Sequence, residues 1–422
     1  MNRIAYSPKN AARFYVPLML QAFSQSLTYP LVGSITSHGP DGVDALTAFS
    51  LGQVIQFMIG ALGGGLIMTG MVFARTAGGL SAFRRLNAAM MVALLSAQAI
   101  LCMHPFDGWI FGHLLNLSPH LSAIARRTLF FSIPMQAAFF MRNVPHVILF
   151  NSYASSEANL STVARIALTS VFAGTFPFFG AVGPDWGLFA LTAPVFLEWL
   201  LAEVFARKYE LRLDAGGYSS VAEQFRFTMP LSFGACLLAA SPFMTAAFVG
   251  RSADPSDMLA IHYVTLGIAN PVAYAALRMQ AVAIQFPPER PGDRRLLKFA
   301  VVTGLLLGLV PFAFSLPGIG DWYYGRCQNI PPQILATARL ASLLYSLICV
   351  IHTVRGLVEG IAALKKRPSA VMAGQIAYFA SLVAVLAATL PTGMPGWAMA
   401  VLAIYIAPIA ATAATYAFCA NR

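Results

Sequence analysis

The chain has 422 residues, of which 58% are hydrophobic and only 10% charged, and its mean hydropathy is +0.69. A soluble domain carries about 25% charged residues, so this composition excludes a soluble globular protein and indicates a polytopic membrane protein. The 27 Lys and Arg against 16 Asp and Glu give a net charge of +11, which basic cytoplasmic loops explain better than nucleic-acid binding does.

The chain begins with Arg3, Lys9 and Arg13 and then an apolar run interrupted by Pro17. No small-residue cleavage site follows cleanly, so this run reads as an uncleaved first span behind a short cytoplasmic tail. A spanning helix needs roughly 20 apolar residues. Twelve stretches meet that need: 11–35, 45–74, 84–104, 122–151, 160–182, 186–205, 225–250, 258–284, 296–316, 335–364, 370–390 and 394–418. The second, fourth, eighth and tenth are long enough to tilt or to extend beyond the bilayer. Cys102, Cys236, Cys327, Cys349 and Cys419 are scattered and form no CxxC, which gives neither a disulfide framework nor a zinc site.

The loops sort by charge. One alternating set, the N-terminus and the loops with Arg75/Arg84/Arg85, Arg207/Lys208/Arg212/Arg226, Arg290/Arg294/Arg295/Lys298, Lys365/Lys366/Arg367 and Arg422, holds 18 basic residues. The other set holds four, Arg126, Arg127, Arg251 and Arg326, and carries Asp41, Asp44, Asp107, Asp185, Asp254, Asp257 and Asp321. This split places both termini in the cytoplasm and supports an even number of spans.

The chain repeats itself. Phe14-Tyr15-Val16-Pro17-Leu18 matches Phe227-Thr228-Met229-Pro230-Leu231, Ala45–Gly52 matches Ala260–Gly267, and Arg84-Arg85-Leu86 matches Arg294-Arg295-Leu296. Arg127 aligns with Arg339 and Arg142 with Arg355, so five landmarks keep nearly one offset, half the length of the chain. Six spans separate the copies, so the halves share one orientation, as parallel repeats about an axis along the membrane normal. In transporters built that way the substrate site lies between the halves near mid-membrane. The expected organisation is a bundle at 1–205, a basic linker at 206–226 and a second bundle at 227–422.

Charge at membrane depth is costly and marks functional sites. Arg142 lies in the fourth span with Asn143 beside it and His146 on the same face. Arg355 lies at the equivalent point of the tenth, with His352 three residues before it and Glu359 four after. A guanidinium offers a planar fork of donors suited to carboxylate and phosphate. Arg142, Asn143, His146, Arg165, His352 and Arg355 are therefore the expected substrate-binding residues, and the substrate is expected to be a small anion. Arg339 and His262 are further embedded groups, and Glu198, Glu203 and Glu359 are the few acids within spans. Glu359 is expected to restrain Arg355 or to exchange protons. Prolines within spans, Pro17 and Pro230 among them, are expected to kink or hinge helices. A structural ion pair between Arg355 and Glu359 is the competing reading. No GxSxG, HExxH, Walker lysine loop or haem-attachment motif occurs, so neither an enzyme nor a cofactor is expected. The absence of an ATPase domain leaves a gradient or a downhill substrate as the energy source.

Two six-span halves, each opening with an FxxPL-type segment (Phe14–Leu18 and Phe227–Leu231), resemble the multidrug/oligosaccharidyl-lipid/polysaccharide (MOP) exporter superfamily. Val354-Arg355, Gly360 and Leu364-Lys365-Lys366 resemble the pattern of its progressive ankylosis family. That resemblance implies an all-α V-shaped fold with spans 1, 2, 7 and 8 at the gating seam, and export of small anions such as pyrophosphate, ATP or citrate. The chain departs from that family in having no long hydrophilic tail after span twelve. It departs from the superfamily's drug exporters in carrying no acid between Arg13 and His38, which disfavours cation antiport. The alternatives are a flippase for a lipid-linked oligosaccharide or lipid diphosphate, or a multidrug cation antiporter of the same superfamily. The remaining expectations are a monomer in a bacterial inner membrane, coupled to H+ or Na+, with no nucleic-acid partner.

Overall fold

The computed structural model describes residues 6–40, 42–114, 117–210, 219–288, 293–328 and 330–420. In chain order the helices are α1 (Pro8–Ser37), α2 (Gly42–Ala61), α3 (Leu66–Phe73), α4 (Ala77–Leu101), α5 (Pro119–Phe131), α6 (Ile133–Met141), α7 (Asn143–Asn151), α8 (Ser155–Thr175), α9 (Pro184–Glu210), α10 (Val221–Val249), α11 (Pro255–Leu277), α12 (Met279–Gln285), α13 (Arg295–Ser315), α14 (Pro332–Tyr345), α15 (Ile348–Leu364), α16 (Pro368–Thr389) and α17 (Gly396–Ala420). No strand occurs among the described residues. The long spans anticipated from sequence are the ones that break: the second into α2 and α3, the fourth into α5, α6 and α7, the eighth into α11 and α12, and the tenth into α14 and α15. All twelve expected spans are thus helical, and the chain is an integral multi-pass membrane protein.

Nine helical stretches among the described residues, three of them spanning a break between two helices, are long and apolar enough to cross a membrane. The other three expected spans differ for identifiable reasons. In α1, Gln21, Ser24, Gln25 and Ser26 dilute the apolar content, and in α4 the same is done by Arg84, Arg85, Asn87 and Gln98. In the fourth span Arg142, Asn143 and His146 do so, and breaks at Ser132 and Arg142 divide it into pieces of 13, 9 and 9 residues.

Helix starts follow local chemistry. Thr76 accepts from the Gly79 N–H at 3.2 Å to cap α4, and Ser118 caps α5 ahead of Pro119. Proline also opens α11, α14 and α16, where its missing N–H has no helical partner to lose.

The sequence repeat reappears in the irregular elements. A π-helical turn at Gly108–Leu114 recurs, at the repeat offset, as Asp321–Cys327. A 3-10 turn follows α8 and closes at Gly180 with φ 67°, and another follows α16 and closes at Gly393 with φ 73°. Only glycine adopts that left-handed conformation cheaply. Asp107 pairs with Arg126 at 3.0 Å, and Asp321 pairs with Arg339 at 2.9 Å. Arg126 is therefore the structural counterpart of Arg339. This corrects the expected match of Arg127 with Arg339: Arg126 stands at the same offset from Arg339 as Arg142 does from Arg355, and Arg127 pairs with Asp185 at 2.7 Å.

The contacts divide the chain into two units: residues 1–2 with 24–232, and residues 3–23 with 233–422. The division cuts through α1 and α10 rather than following the linker, of which 211–218 lie outside the described residues. Within unit 2, the start of α1 is held by the Tyr15 hydroxyl donating to Ala275 O at 2.9 Å and by Phe14 edge-on to Phe286 at 6.0 Å. Within unit 1, the start of α10 is held by Thr228 hydroxyl-bonded to Thr69 at 2.7 Å and by Phe227 edge-on to Phe73 at 5.2 Å. Phe14 and Phe227 are a repeat pair, and so are Phe73 and Phe286, at the same offset. Each unit is completed by the opening turns of the other repeat's first helix.

Unit 2 also shows how α13 packs against α15 and the residues just before it. Gly304 and Gly308 of α13 lie against the backbone of Val350 and Ser346. Small residues four apart let two helix backbones touch in a bilayer, where dispersion rather than the hydrophobic effect drives helix association.

Candidate functional site

In unit 1 the buried charges converge on Glu198 of α9. Its carboxylate accepts Arg142 Nη1 at 2.6 Å and Thr162 Oγ1 at 2.6 Å, and Arg165 Nη1 lies 3.1 Å away. His146 Nε2 is 4.0 Å from the same carboxylate. Arg142 also lies over the Phe139 ring, 4.5 Å from its centroid. Arg142 is nine residues from the end of α7, and Arg165 is ten residues into α8. At 1.5 Å per residue both sit about 15 Å from the turn that joins those helices, half of a hydrocarbon core roughly 30 Å thick. Among the described residues the network contains two guanidiniums for one carboxylate.

In unit 2 the corresponding residues form a closed neutral circuit. Arg355 Nε donates to Glu359 Oε1 at 2.8 Å, and its Nη2 donates to Gln375 Oε1 at 2.5 Å. Gln375 Nε2 donates back to Glu359 at 2.9 Å, and Gln280 of α12 donates to the other carboxylate oxygen. The Arg355 guanidinium rests over the Tyr378 ring at 4.6 Å. Gly356 and Gly360 approach the backbone of Leu277 and Gln280. One face of α15 thus carries the ion pair and another carries the close helix contact.

The two networks are repeat images. Arg142 and Arg355, His146 and Glu359, Thr162 and Gln375, and Arg165 and Tyr378 are all separated by one and the same offset. The carboxylate has changed place: it stands on α9 in unit 1, where unit 2 has Ala411, and on α15 in unit 2, where unit 1 has His146. The second cation has no counterpart, because Tyr378 occupies the place of Arg165.

Of the residues expected from sequence, Arg142, His146 and Arg165 come together in unit 1. Arg355 and Glu359 come together in unit 2. Asn143 donates to Asn87 at 3.2 Å, and Asn87 donates to Phe140 O at 2.9 Å, so Asn143 ties α7 to α4 beside the network. His352 is buried next to Arg355 on α15, and its Nδ1 has no partner. His262 is buried in α11 with both ring nitrogens unpartnered. Arg339 is engaged by Asp321. Pro17 and Pro230 sit inside helices that run through them without a break. Sequence reasoning misses Thr162, Gln280, Gln375 and Tyr378. The repeat offset, applied to polar residues as well as to arginines, is the signal that points to Gln375 and Tyr378. Among the described residues no group of three His, Cys, Asp or Glu side chains could hold a metal ion.

No family model matches the chain, and no curated protein sequence matches it. Solved structures do. A eukaryotic MATE transporter, AtDTX14, is 14% identical, covers 97% of this chain and 94% of its own, and gives a TM-score of 0.71. A mutant form of VcmN, a MATE transporter from Vibrio cholerae, is 16% identical over 97% of this chain and 96% of its own, at 0.72. A MOP superfamily transporter from Pyrococcus furiosus, described as having a binding pocket of reverse polarity that suggests a different function, is 14% identical over 97% and 95%, at 0.68. This protein has the MATE-type fold over nearly its whole length. Twelve helical spans in two six-span repeats, expected from the sequence, are its architecture.

Proposed function

We propose that this protein is a secondary transporter that exports a small organic or phosphate-type anion, of the citrate, malate, pyrophosphate or nucleotide class, by alternating access. The observation that carries the reading is the unit 1 network, in which Arg142 and Arg165 share the single carboxylate of Glu198. A buried excess of guanidinium attracts carboxylate and phosphate and repels cations. The absence of acid between Arg13 and His38 agrees with it. So does the fold likeness to a MOP transporter described by a pocket of reverse polarity. The finer resemblance to the progressive ankylosis family rests on residues 354–366 and points to the same substrate class.

Arg142 and Arg165 bind the anion in this reading, with His146 beside them and Asn143 fixing the α7 backbone. Arg355, with His352 next to it, belongs to the matching network, where Glu359 restrains it. Pro17 and Pro230 lie in the two helices that contribute to both units and serve as gating hinges. Both termini face the cytoplasm of a bacterial inner membrane, on the distribution of basic loops, and the protein works as a monomer driven by H+ or Na+.

The test is transport by purified protein in liposomes, with labelled citrate, malate, pyrophosphate and ATP beside an ethidium-like cation and a lipid diphosphate. Saturable movement of one of the free anions is expected. Movement of the cation alone overturns the proposal, and movement of the lipid alone replaces it with a flippase.

A further inference from the structure

We infer that the anion-binding centre lies inside unit 1, on the Arg142–Arg165 pair, that Arg165 sets its charge selectivity, and that Arg355 takes no direct part in binding. This deepens the proposed function and rests on it.

The argument is a comparison of the protein with itself. At three repeat-related positions both units place an arginine, a hydrogen-bonding partner for the carboxylate, and a group packed at the position of Arg165 and Tyr378. Unit 2 solves the problem of burying charge completely. Arg355 and Glu359 cancel, Gln280 and Gln375 take up both carboxylate oxygens, and the tyrosine ring covers the guanidinium face. The Arg355 side chain keeps 1% of its surface accessible. The pair leaves no net charge with which to hold an anion.

Unit 1 solves it only in part. Arg165 replaces the tyrosine and adds a positive charge that no further carboxylate in the network balances. The Arg165 side chain is only 3% exposed, and its Nε is buried without a hydrogen-bond partner. A guanidinium cut off from water with a donor unused is expensive, and a site that retains one has a use for it. Arg142 keeps 15% of its side chain accessible, which gives an incoming group an approach that Arg355 lacks. One anionic oxygen group, a carboxylate or a phosphate edge, would bring the unit 1 network to the neutrality that unit 2 already has. Binding would then be favoured by an oxyanion's charge rather than by the shape of the rest of the ligand.

The experiment uses thermal unfolding of the purified full-length protein in detergent. Citrate and pyrophosphate are titrated against a bulky sulfonate buffer salt at matched ionic strength, with a lipid diphosphate in mixed micelles as a separate arm. A ligand that binds only the folded state raises the melting temperature. Wild type is expected to be stabilised by a free anion. Arg165→Tyr copies unit 2 and leaves Arg142 and Glu198 as a neutral pair, so it is expected to fold and to bind that anion about tenfold or more weakly, as loss of a charge-assisted bond requires. Arg165→Lys retains the charge and should retain part of the response. Glu198→Gln enlarges the positive excess, so its lowered melting temperature should be rescued by the anion more strongly than wild type responds.

If wild type responds and Arg165→Tyr responds equally, this inference fails while the anion reading stands. An anion response of Glu198→Gln no larger than wild type's overturns it in the same way. If wild type responds to no free anion, the proposed function fails first. A response confined to the lipid diphosphate keeps the arginine site and assigns it to a lipid headgroup.

Discussion

Arg142 Nη1 lies 2.6 Å from Glu198 Oε2, and the contact joins α9 to the junction of α6 and α7 across 56 residues of chain. Glu198 is fully buried and also holds Arg165 and Thr162. Removing it leaves two buried guanidiniums with no carboxylate. Glu198→Ala is expected to cost about 3–5 kcal/mol, the range for breaking a buried pair from one side. Chemical or thermal unfolding in detergent checks this; a variant as stable as wild type would mean that the network is solvated.

Arg355→Ala should also be destabilising by about 3–5 kcal/mol, because Glu359 loses its counter-charge in a dry environment. Replacing both partners together, as in Arg355→Met with Glu359→Met, should recover much of that loss. A double variant that is less stable than either single one contradicts the view of this pair as a clamp.

The close packing of α13 on α15 makes a size prediction. A Cβ at Gly308 would meet Ser346 O, and backbone cannot move aside as a flexible side chain can. Gly308→Val is expected to destabilise by about 1–3 kcal/mol, measured as a lowered melting temperature. Gly112, with open space around its Cβ position, provides the matched control, and Gly112→Ala should change little.

The paired turns predict a small effect. Asp107 with Arg126 and Asp321 with Arg339 are partly exposed pairs, with arginine side chains 50% and 26% accessible. Exposed pairs contribute about 0–1 kcal/mol. Asp107→Asn and Asp321→Asn should therefore both be mild and of similar size, because the arginine is the more exposed partner in the first pair and the aspartate in the second. A large loss from Asp107→Asn would show that this turn does more than fasten itself to α5.

The aromatic seats of the shared helices predict the reverse. Phe286 is buried against Phe14, and Phe73 against Phe227. Phe286→Ala and Phe73→Ala are each expected to cost about 3–5 kcal/mol, from lost burial and a cavity. The two losses should be similar, because the residues are repeat images. Unequal values, read from unfolding curves of the single variants, would indicate that one helix start is seated less firmly.

Much of the fold was legible in the sequence because the bilayer is a severe solvent. It requires roughly 20 apolar residues per span and satisfied backbone, so the spans, the unusual length of those that break and the repeat could be read from hydropathy and spacing. Arg142, Arg165, Arg355 and Glu359 could be singled out for the same reason, since charge within a span stands out against an apolar background. Their partners were not. Glu198 lies 56 residues from Arg142, and Gln375 lies 20 from Arg355, and no local periodicity links positions on different helices. Nor did the sequence reveal that the first turns of α1 and α10 complete the opposite units, because an apolar helix start reads the same whichever neighbours bury it. The sequence by itself determined that this chain spans a membrane as two copies of one six-span pattern with charge at mid-depth. Only the tertiary structure decided which charges cancel, because cancellation depends on side chains from distant spans meeting at hydrogen-bond distance, leaving Arg355 neutralised and Arg165 in excess.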